Sequence, residues 1–207
     1  MHLDLKGPAG RLEALVESGT GPPRAAVVFG HPHPMHGGTM HTKAVYQGAK
    51  GLARIGCAVL RFNFRGVGLS EGTFDQGEGE MADYRSALEF MAEQFPGVPL
   101  WTAGFSFGSW VALEVGAVDP RVSTLIGIAP PVTREGYTWT NTLASDKPKF
   151  LVQGDLDELC PIKDLWAFYA KLKEPKELVV IEGASHLFEG KTREVGDALE
   201  DLLGDYE

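Results

Sequence analysis

The amino-acid sequence predicts an α/β fold, in which a mostly parallel β-sheet is covered by helices on both faces. Short apolar runs that suit buried strands alternate with longer segments of helical periodicity over most of the 207 residues. No repeat, low-complexity tract or long linker interrupts this alternation. The length fits one domain, so we expect residues 1–207 to fold as a single unit.

Eight strands are expected, two in a leading hairpin and six in a parallel series. The hairpin pairs residues 3–6 with residues 12–17 across a Gly-Pro-Ala-Gly turn. The six parallel strands are predicted at residues 25–31, 58–64, 98–104, 122–129, 150–153 and 178–181. The helices between and after them are predicted at residues 40–55, 80–95, 109–116, 162–172 and 192–203.

Composition excludes several classes of function. A net charge of −9 disfavours nucleic-acid binding, because phosphate contacts need a basic face. No apolar run reaches the ~18 residues of a membrane span, and the N-terminus lacks the apolar core of a secretion signal. Two cysteines make no disulfide framework. We therefore expect a cytoplasmic protein, either a monomer or a homodimer, that acts on a small molecule without nucleic-acid or membrane partners.

A candidate nucleophile, Ser106, lies in residues 104–108, Gly-Phe-Ser-Phe-Gly. The G-x-S-x-G pattern holds a serine on a strained strand-to-helix turn, where its oxygen is exposed. Ser70, in residues 68–72, gives a second match, but it is followed by a glycine-rich loop without apolar periodicity. A helix must follow the nucleophile because its N-terminal N–H groups face the developing oxyanion. This context favours Ser106, and Ser70 is interpreted as a turn residue.

A serine hydroxyl needs a base, and the base needs an orienting group. The predicted strand at 150–153 runs into an acidic loop, in which Asp157 is the favoured orienting carboxylate and Asp155 the second choice. The alternative interpretation is a solvated loop or a helix cap. His186 is the only histidine after this loop, and it directly follows the last predicted strand. The order Ser, Asp, His is one that serine hydrolases use.

A histidine-rich loop follows the first parallel strand, and its spacing first suggests a metal site. His31, His33 and His36 form an H-x-H-x-x-H pattern, and imidazole is a common zinc ligand. Pro32 and Pro34, however, stiffen the backbone, and the loop offers no carboxylate or thiolate to complete a site. We therefore expect neither a metal nor another cofactor.

The favoured interpretation is an oxyanion-hole loop, which supplies one backbone N–H beside that of the residue after the nucleophile. His33 is the predicted donor, because the flanking prolines have no N–H, and Met35 is the alternative. Phe107 supplies the second N–H.

These motifs together resemble the α/β-hydrolase superfamily, and more narrowly the small bacterial hydrolases with a His-Pro-His-Pro loop followed by Gly-Gly-Thr-Met. The matching segments are residues 31–34, 37–40, 61–68, 70–72, 77–80, 104–108, 154–157 and 183–186. The resemblance implies an eight-stranded α/β-hydrolase fold with Ser106, Asp157 and His186 as a catalytic triad. It implies hydrolysis of carboxylic esters as the chemistry, but it leaves the natural substrate open.

Many members of this superfamily insert a helical lid between the sixth and seventh strands. Here that interval is residues 131–148, which is too short for a lid domain, so an open cleft and short acyl groups are predicted. Tyr137 within it is a candidate to flank the pocket. The residues predicted to form the substrate-binding walls are Met35, Phe74, Trp110, Trp139 and Phe188. A thioesterase or peptidase with the same triad, and a non-catalytic binding protein on the same fold, are the alternative functions.

Overall fold

The computed structural model describes residues 2–206, and its strands form an eight-stranded sheet. The strands are β1 (His2–Gly7), β2 (Gly10–Glu17), β3 (Ala26–Gly30), β4 (Ala58–Phe62), β5 (Leu100–Phe105), β6 (Val122–Ile128), β7 (Lys149–Gly154) and β8 (Lys176–Ile181). Their order across the sheet is β1-β2-β4-β3-β5-β6-β7-β8. Strand β2 pairs antiparallel with β1 and β4, and the pairs from β4 to β8 are parallel. The predicted hairpin and parallel series are both confirmed.

Each predicted helix is present, with small shifts at the ends. The helices are α1 (Lys43–Arg54), α2 (Glu78–Gln94), α3 (Phe107–Val118), α4 (Thr140–Ala144), α5 (Ile162–Tyr169) and α6 (Thr192–Leu203). Helix α5 ends before the predicted position 172, because the next two turns tighten: Lys171 N donates to Phe168 O, and Leu172 N donates to Tyr169 O. Helix α4 and a 3₁₀ turn at Pro34–His36 were not predicted.

Two hydrophobic cores lie on opposite faces of the sheet. Along β3, Ala26 and Val28 face one core while Val27 and Phe29 face the other, because successive side chains of a strand point to opposite sides. Helices α2, α3 and α5 cover the first core, and helices α1 and α6 cover the second. Burial on both faces explains why the central strands are apolar at nearly every position.

The connection between β6 and β7 contains only the five-residue helix α4, so no lid domain covers the sheet edge. This helix is fixed to α3 by Glu114, whose buried carboxylate accepts hydrogen bonds from the N–H groups of Asn141 and Thr142 and from the Thr142 hydroxyl. A carboxylate at a helix N-terminus satisfies N–H groups that have no acceptor within the helix. Among the residues described, none of the helices has the length and apolar character that a bilayer span requires.

Candidate active site

Ser106 occupies a strained turn between β5 and α3. Its backbone has φ 54° and ψ −120°, a conformation rare for a residue with a side chain. The flanking glycines permit a close approach of backbones: a Cβ atom on Gly104 would overlap the backbone of Gly108, and one on Gly108 would overlap the backbone of Gly30. The turn therefore packs directly against the end of β3, and Ser106 stands at the carboxyl edge of the sheet.

Loops after β7 and β8 bring the two partners of Ser106 to the same edge. His186 Nε2 lies 2.8 Å from Ser106 Oγ, and His186 Nδ1 lies 2.8 Å from Asp157 Oδ2. Because a carboxylate only accepts, the neutral imidazole carries its proton on Nδ1, and Nε2 is free to accept the serine proton. Asp157 and His186 are each 3% exposed, and Ser106 is partly exposed. The three side chains form one continuous hydrogen-bonded chain.

The carboxylate of Asp157 accepts hydrogen bonds at both oxygens. Leu159 N and Cys160 N each donate to Oδ1 at 2.8 Å, and Gln153 Nε2 donates to Oδ2 at 2.8 Å. Gln153 is fully buried and was missed in the sequence. The signal was present, because Gln153 is a polar residue in the apolar run of β7, just before the acidic loop.

The other two acidic residues of this loop hold the backbone of the His186 loop. Asp155 Oδ1 accepts from Gly183 N at 2.6 Å, and Glu158 Oε2 accepts from His186 N at 3.3 Å. The structure therefore brings Asp157 to the imidazole, and Asp155, the second choice, to the loop backbone instead.

His31 is locked in the interior rather than presented to a ligand. It is fully buried, its Nε2 accepts from Phe64 N at 3.0 Å, and its Nδ1 donates to Pro32 O at 2.6 Å. Burial lowers the pKa of His31 to about 4, so the ring is neutral. Within residues 2–206, no three His, Cys, Asp or Glu side chains are grouped as metal ligands. Both ring nitrogens of His31 are occupied, which is incompatible with the metal interpretation of the loop.

His33 and Phe107 line the same cleft as Ser106, and both have backbone N–H groups without an acceptor among the described residues. Phe107 is the first residue of α3, so its N–H has no acceptor within the helix. Neither N–H donates to another group in the part of the chain that the structure describes. The N–H of Met35, the alternative donor, is engaged with His33 Nδ1 at 3.2 Å. The rings of His33 and Phe107 also lie 5.2 Å apart, so the two residues border the same space.

A cleft of about 600 Å³ opens at Ser106 and His186. Loop residues after β6 form much of its wall, and Leu159 of the acidic loop completes it. The lining residues are His33, His36, Ser106, Phe107, Pro131, Thr133, Arg134, Glu135, Gly136, Tyr137, Leu159 and His186. Tyr137 flanks the cleft as expected, whereas Leu159 and Arg134 were missed. Nothing in the local pattern distinguished these two from ordinary loop residues.

The prediction that Trp110, Trp139 and Phe188 form the substrate walls is wrong. They are 5%, 8% and 0% exposed, and all three belong to the cores. Trp110 lies behind the cleft, stacked on Tyr137 at 4.1 Å, with its Nε1 donating to Thr138 O at 2.8 Å. Every residue of α3 from its start to its third turn is buried, and Trp110, one turn after Phe107, packs in the core.

Met35 and Phe74 also lie outside the cleft. They border a separate groove that is formed with Pro34 and residues of the loop after β4. The ring of Phe74 lies 4.9 Å from that of His33, so Phe74 supports the cleft residue His33 from outside the cleft. The Met35 side chain is exposed, and its backbone N–H donates to His33 Nδ1.

Ser70, the serine of the second G-x-S-x-G match, is a structural residue. It is 7% exposed, its hydroxyl donates to Asn63 O at 2.7 Å, and its oxygen accepts from Glu13 N at 2.9 Å. These bonds join the hairpin to the loop after β4. The turn interpretation of Ser70 is confirmed.

Comparison with solved structures gives full-length matches. A structure described as an α/β serine hydrolase homologue from Coxiella burnetii matches with a TM-score of 0.91 and 39% identity, covering 98% of this chain and 97% of its own. XC6422 from Xanthomonas campestris, described as an α/β serine hydrolase without a lid, matches with a TM-score of 0.87 and 35% identity. The match covers 97% of this chain and 92% of XC6422.

Comparisons of sequence agree with the structural matches. The uncharacterised protein RP471 of Rickettsia prowazekii (strain Madrid E) is 35% identical over 204 residues, which cover 95% of this chain and 86% of the relative. The family model described as serine aminopeptidase, S33 (Hydrolase_4), matches residues 21–145. This chain therefore belongs to the S33 (Hydrolase_4) family of α/β serine hydrolases.

Proposed function

We propose that this protein hydrolyses carboxylic esters of small, short-chain substrates, with Ser106 as nucleophile, His186 as base and Asp157 as orienting acid. The observation that carries this proposal is the unbroken hydrogen-bonded chain from Ser106 Oγ through the imidazole to Asp157 Oδ2, with 2.8 Å at each step. The turn at Ser106 adds support, because it exposes the hydroxyl directly in front of the N-terminus of α3.

In the first half of the reaction, Ser106 Oγ attacks the ester carbonyl while His186 Nε2 accepts its proton. Asp157 holds the imidazole in the required tautomer and stabilises the imidazolium that forms. The backbone N–H groups of His33 and Phe107 bind the oxyanion of the tetrahedral intermediate, and each donor of this kind contributes about 3 kcal/mol to such a step. The intermediate collapses when His186 returns the proton to the departing alcohol.

In the second half, water cleaves the acyl-enzyme. His186 removes a proton from water, the resulting oxygen attacks the acyl carbonyl, and the same two N–H groups bind the second oxyanion. Collapse of this intermediate releases the acid and restores the Ser106 hydroxyl. The site needs no group beyond the protein for either half-reaction.

The composition of the cleft supports short acyl groups. Phe107, Pro131, Tyr137 and Leu159 give it an apolar part, but histidine, threonine and charged side chains occupy the rest. A long alkyl chain would therefore lie against polar groups or extend into solvent, and it would gain little from apolar burial. We expect 4-nitrophenyl acetate and butyrate to have higher kcat/KM values than the octanoate. Faster cleavage of the octanoate would contradict the size preference.

A peptidase is the alternative that the description of the family, serine aminopeptidase, favours. The same three side chains can attack an amide, so the two activities are separated by substrate. Parallel assays with a 4-nitrophenyl ester, a thioester and an aminoacyl 4-nitroanilide compare the three acyl donors. Preference for the anilide would replace the ester proposal, and preference for the thioester would make the protein a thioesterase.

Labelling with a fluorophosphonate tests the mechanism independently of the natural substrate. We expect wild-type protein to be labelled at Ser106, with the adduct located by mass mapping, and Ser106→Ala to be unlabelled and inactive on esters. Ser70→Ala is the matched control, since it changes the other serine with the same motif. Its label should remain on Ser106. An unlabelled wild-type protein without ester turnover would indicate a binding protein on this fold.

A further inference from the structure

Arg134 is a charged residue of the cleft wall that the proposed mechanism does not use. It is exposed and lies in a turn, in which its N–H donates to Pro131 O at 3.0 Å and its carbonyl accepts from Tyr137 N at 3.3 Å. Its guanidinium forms no ion pair or hydrogen bond within residues 2–206. The turn therefore fixes the backbone beside Ser106 while all the guanidinium donors remain available.

The positive charge of Arg134 acts on both sides of this cleft. Burial lowers the pKa of His33, and the nearby charges of His36 and Arg134 lower it further. Burial raises the pKa of Tyr137, and the charge of Arg134 opposes that rise. Arg134, His33 and Tyr137 all line the space in front of Ser106.

Four carboxylates lie in or around this cleft, and none of them forms an ion pair with Arg134 in the part of the chain that the structure describes. Asp157 is buried behind the imidazole, and Glu158 accepts a hydrogen bond from His186 N. Glu135 lines the cleft next to Arg134 but forms no ion pair with it within residues 2–206, and Glu80, whose charge acts on Tyr137, accepts hydrogen bonds from Asp75 N and Gly77 N. The cleft wall in front of the nucleophile therefore carries an unpaired guanidinium, although the chain as a whole is acidic.

We propose that Arg134 selects ester substrates that carry a second, free carboxylate, such as half-esters of short dicarboxylic acids. A guanidinium binds a carboxylate through two parallel hydrogen bonds, and a cleft of about 600 Å³ accommodates a diacid of a few carbons. The inference rests on the proposed ester hydrolysis. The free carboxylate takes no part in bond making, and it orients the ester carbonyl toward Ser106.

The same charge disfavours substrates with an ammonium group. An aminopeptidase must place the α-ammonium of its substrate close to the nucleophile, where a carboxylate stabilises it. In this cleft the unpaired guanidinium of Arg134 lies in the wall in front of the nucleophile, and it repels a cationic substrate. This is the physical reason to expect anionic esters rather than peptides with free N-termini.

Three methyl esters of equal chain length separate charge from size. Monomethyl glutarate carries a carboxylate, its primary amide is the neutral counterpart, and methyl 5-aminopentanoate carries an ammonium group. Hydrolysis of each is followed by titration of the released acid at constant pH. We expect kcat/KM to fall in that order, with about a tenfold preference for the half-ester over the amide at low salt, since one charge-assisted pair in a partly open site has this magnitude.

Variants of Arg134 test whether this residue causes the preference for the half-ester. Arg134→Gln should reduce the ratio of the kcat/KM value for the half-ester to that for the amide to about one. Arg134→Lys retains the charge without the bidentate geometry, and its ratio should be intermediate. Arg85→Gln removes an exposed arginine from α2, outside the cleft, and should leave the ratio at the wild-type value. An unchanged ratio in Arg134→Gln, or no preference in the wild type, would overturn this inference. Absence of ester hydrolysis and of fluorophosphonate labelling would instead reject the proposed function.

Discussion

Gln153 donates a hydrogen bond of 2.8 Å to Oδ2 of Asp157, the same oxygen that pairs with Nδ1 of His186. The amide also donates to Cys160 O at 3.0 Å, which fixes its orientation within the buried end of β7. Gln153 therefore acts on the imidazole only through the carboxylate, as a positioning residue.

Replacing Gln153 with methionine should lower kcat while KM stays close to the wild-type value. Methionine keeps the volume and removes the donor, so within residues 2–206 Asp157 Oδ2 keeps only His186 as a partner, and the carboxylate is held less firmly by Leu159 N and Cys160 N alone. Loss of one hydrogen bond to a charged group corresponds to about a tenfold decrease in kcat. Steady-state kinetics on 4-nitrophenyl acetate, with the thermal midpoint of unfolding as a control for stability, measure the effect. A loss of kcat/KM that comes only from a higher KM, with kcat unchanged, would contradict the positioning role.

The two aspartates of the acidic loop should differ in their effect on catalysis. Asp157→Asn leaves the imidazole with an amide partner and should reduce kcat by about a thousandfold to ten-thousandfold, because the wrong tautomer is favoured. Asp155→Asn retains an acceptor for Gly183 N, so its kcat should remain within about fivefold of wild type. The reverse order of these two losses would transfer the catalytic role to Asp155.

A proline at position 33 tests the N–H that is proposed to bind the oxyanion. The φ of His33 is −51°, which a proline can adopt, so His33→Pro removes the N–H without requiring a new backbone conformation. We expect kcat to fall by about a hundredfold or more. His33→Ala removes the same imidazole but keeps the N–H, and its loss should be clearly smaller. Equal losses in the two variants would mean that the side chain, rather than the backbone, is required.

His31 should make the protein less stable as the pH falls. Its pKa is lowered to about 4 by burial, whereas an unfolded chain binds the proton near pH 6.5, so protons favour unfolding between these values. The free energy of unfolding should decrease by about 2 kcal/mol from pH 7 to pH 5 through this residue. Urea unfolding of wild type and His31→Gln at both pH values measures the difference.

The expected result for His31→Gln is a weaker dependence of stability on pH than in the wild type. His36→Gln is the control, because His36 is an exposed histidine of the same loop, and it should retain the dependence of the wild type. If His31→Gln and wild type lose stability equally between pH 7 and pH 5, the protonation of another group causes the loss.

The sequence predicts the sheet, and it predicts which three side chains meet at the sheet edge, because both depend on local patterns. Ser106 is marked by two glycines and a following helix, and the other two residues follow strand ends, which lie together at one edge of a parallel sheet. The cleft walls could not be predicted in this way. Trp110 and Trp139 are large aromatic residues, but Trp110 belongs to the buried part of α3, and Trp139 packs against Phe168 of α5.

The residues that form the wall instead belong to connecting loops. Arg134 and Leu159 have no periodic pattern around them, and their position depends on how the turns after β6 and β7 fold over the sheet edge. Gln153 was recognisable as a polar residue in an apolar strand. Its partner could be assigned only when the path of the acidic loop was known, since the side chain reaches four residues along the chain.

The hydrogen bonds that Thr142 of α4 donates to Glu114 connect the segment that follows the cleft wall to the helix that starts beside Ser106. A hinged cap moves independently of the nucleophile, whereas here both are attached to one rigid element. Substrate entry and product departure therefore require no opening step, and an oil–water interface should not increase the rate. We expect the turnover of soluble esters to follow simple saturation, with a rate set by the bond-breaking steps.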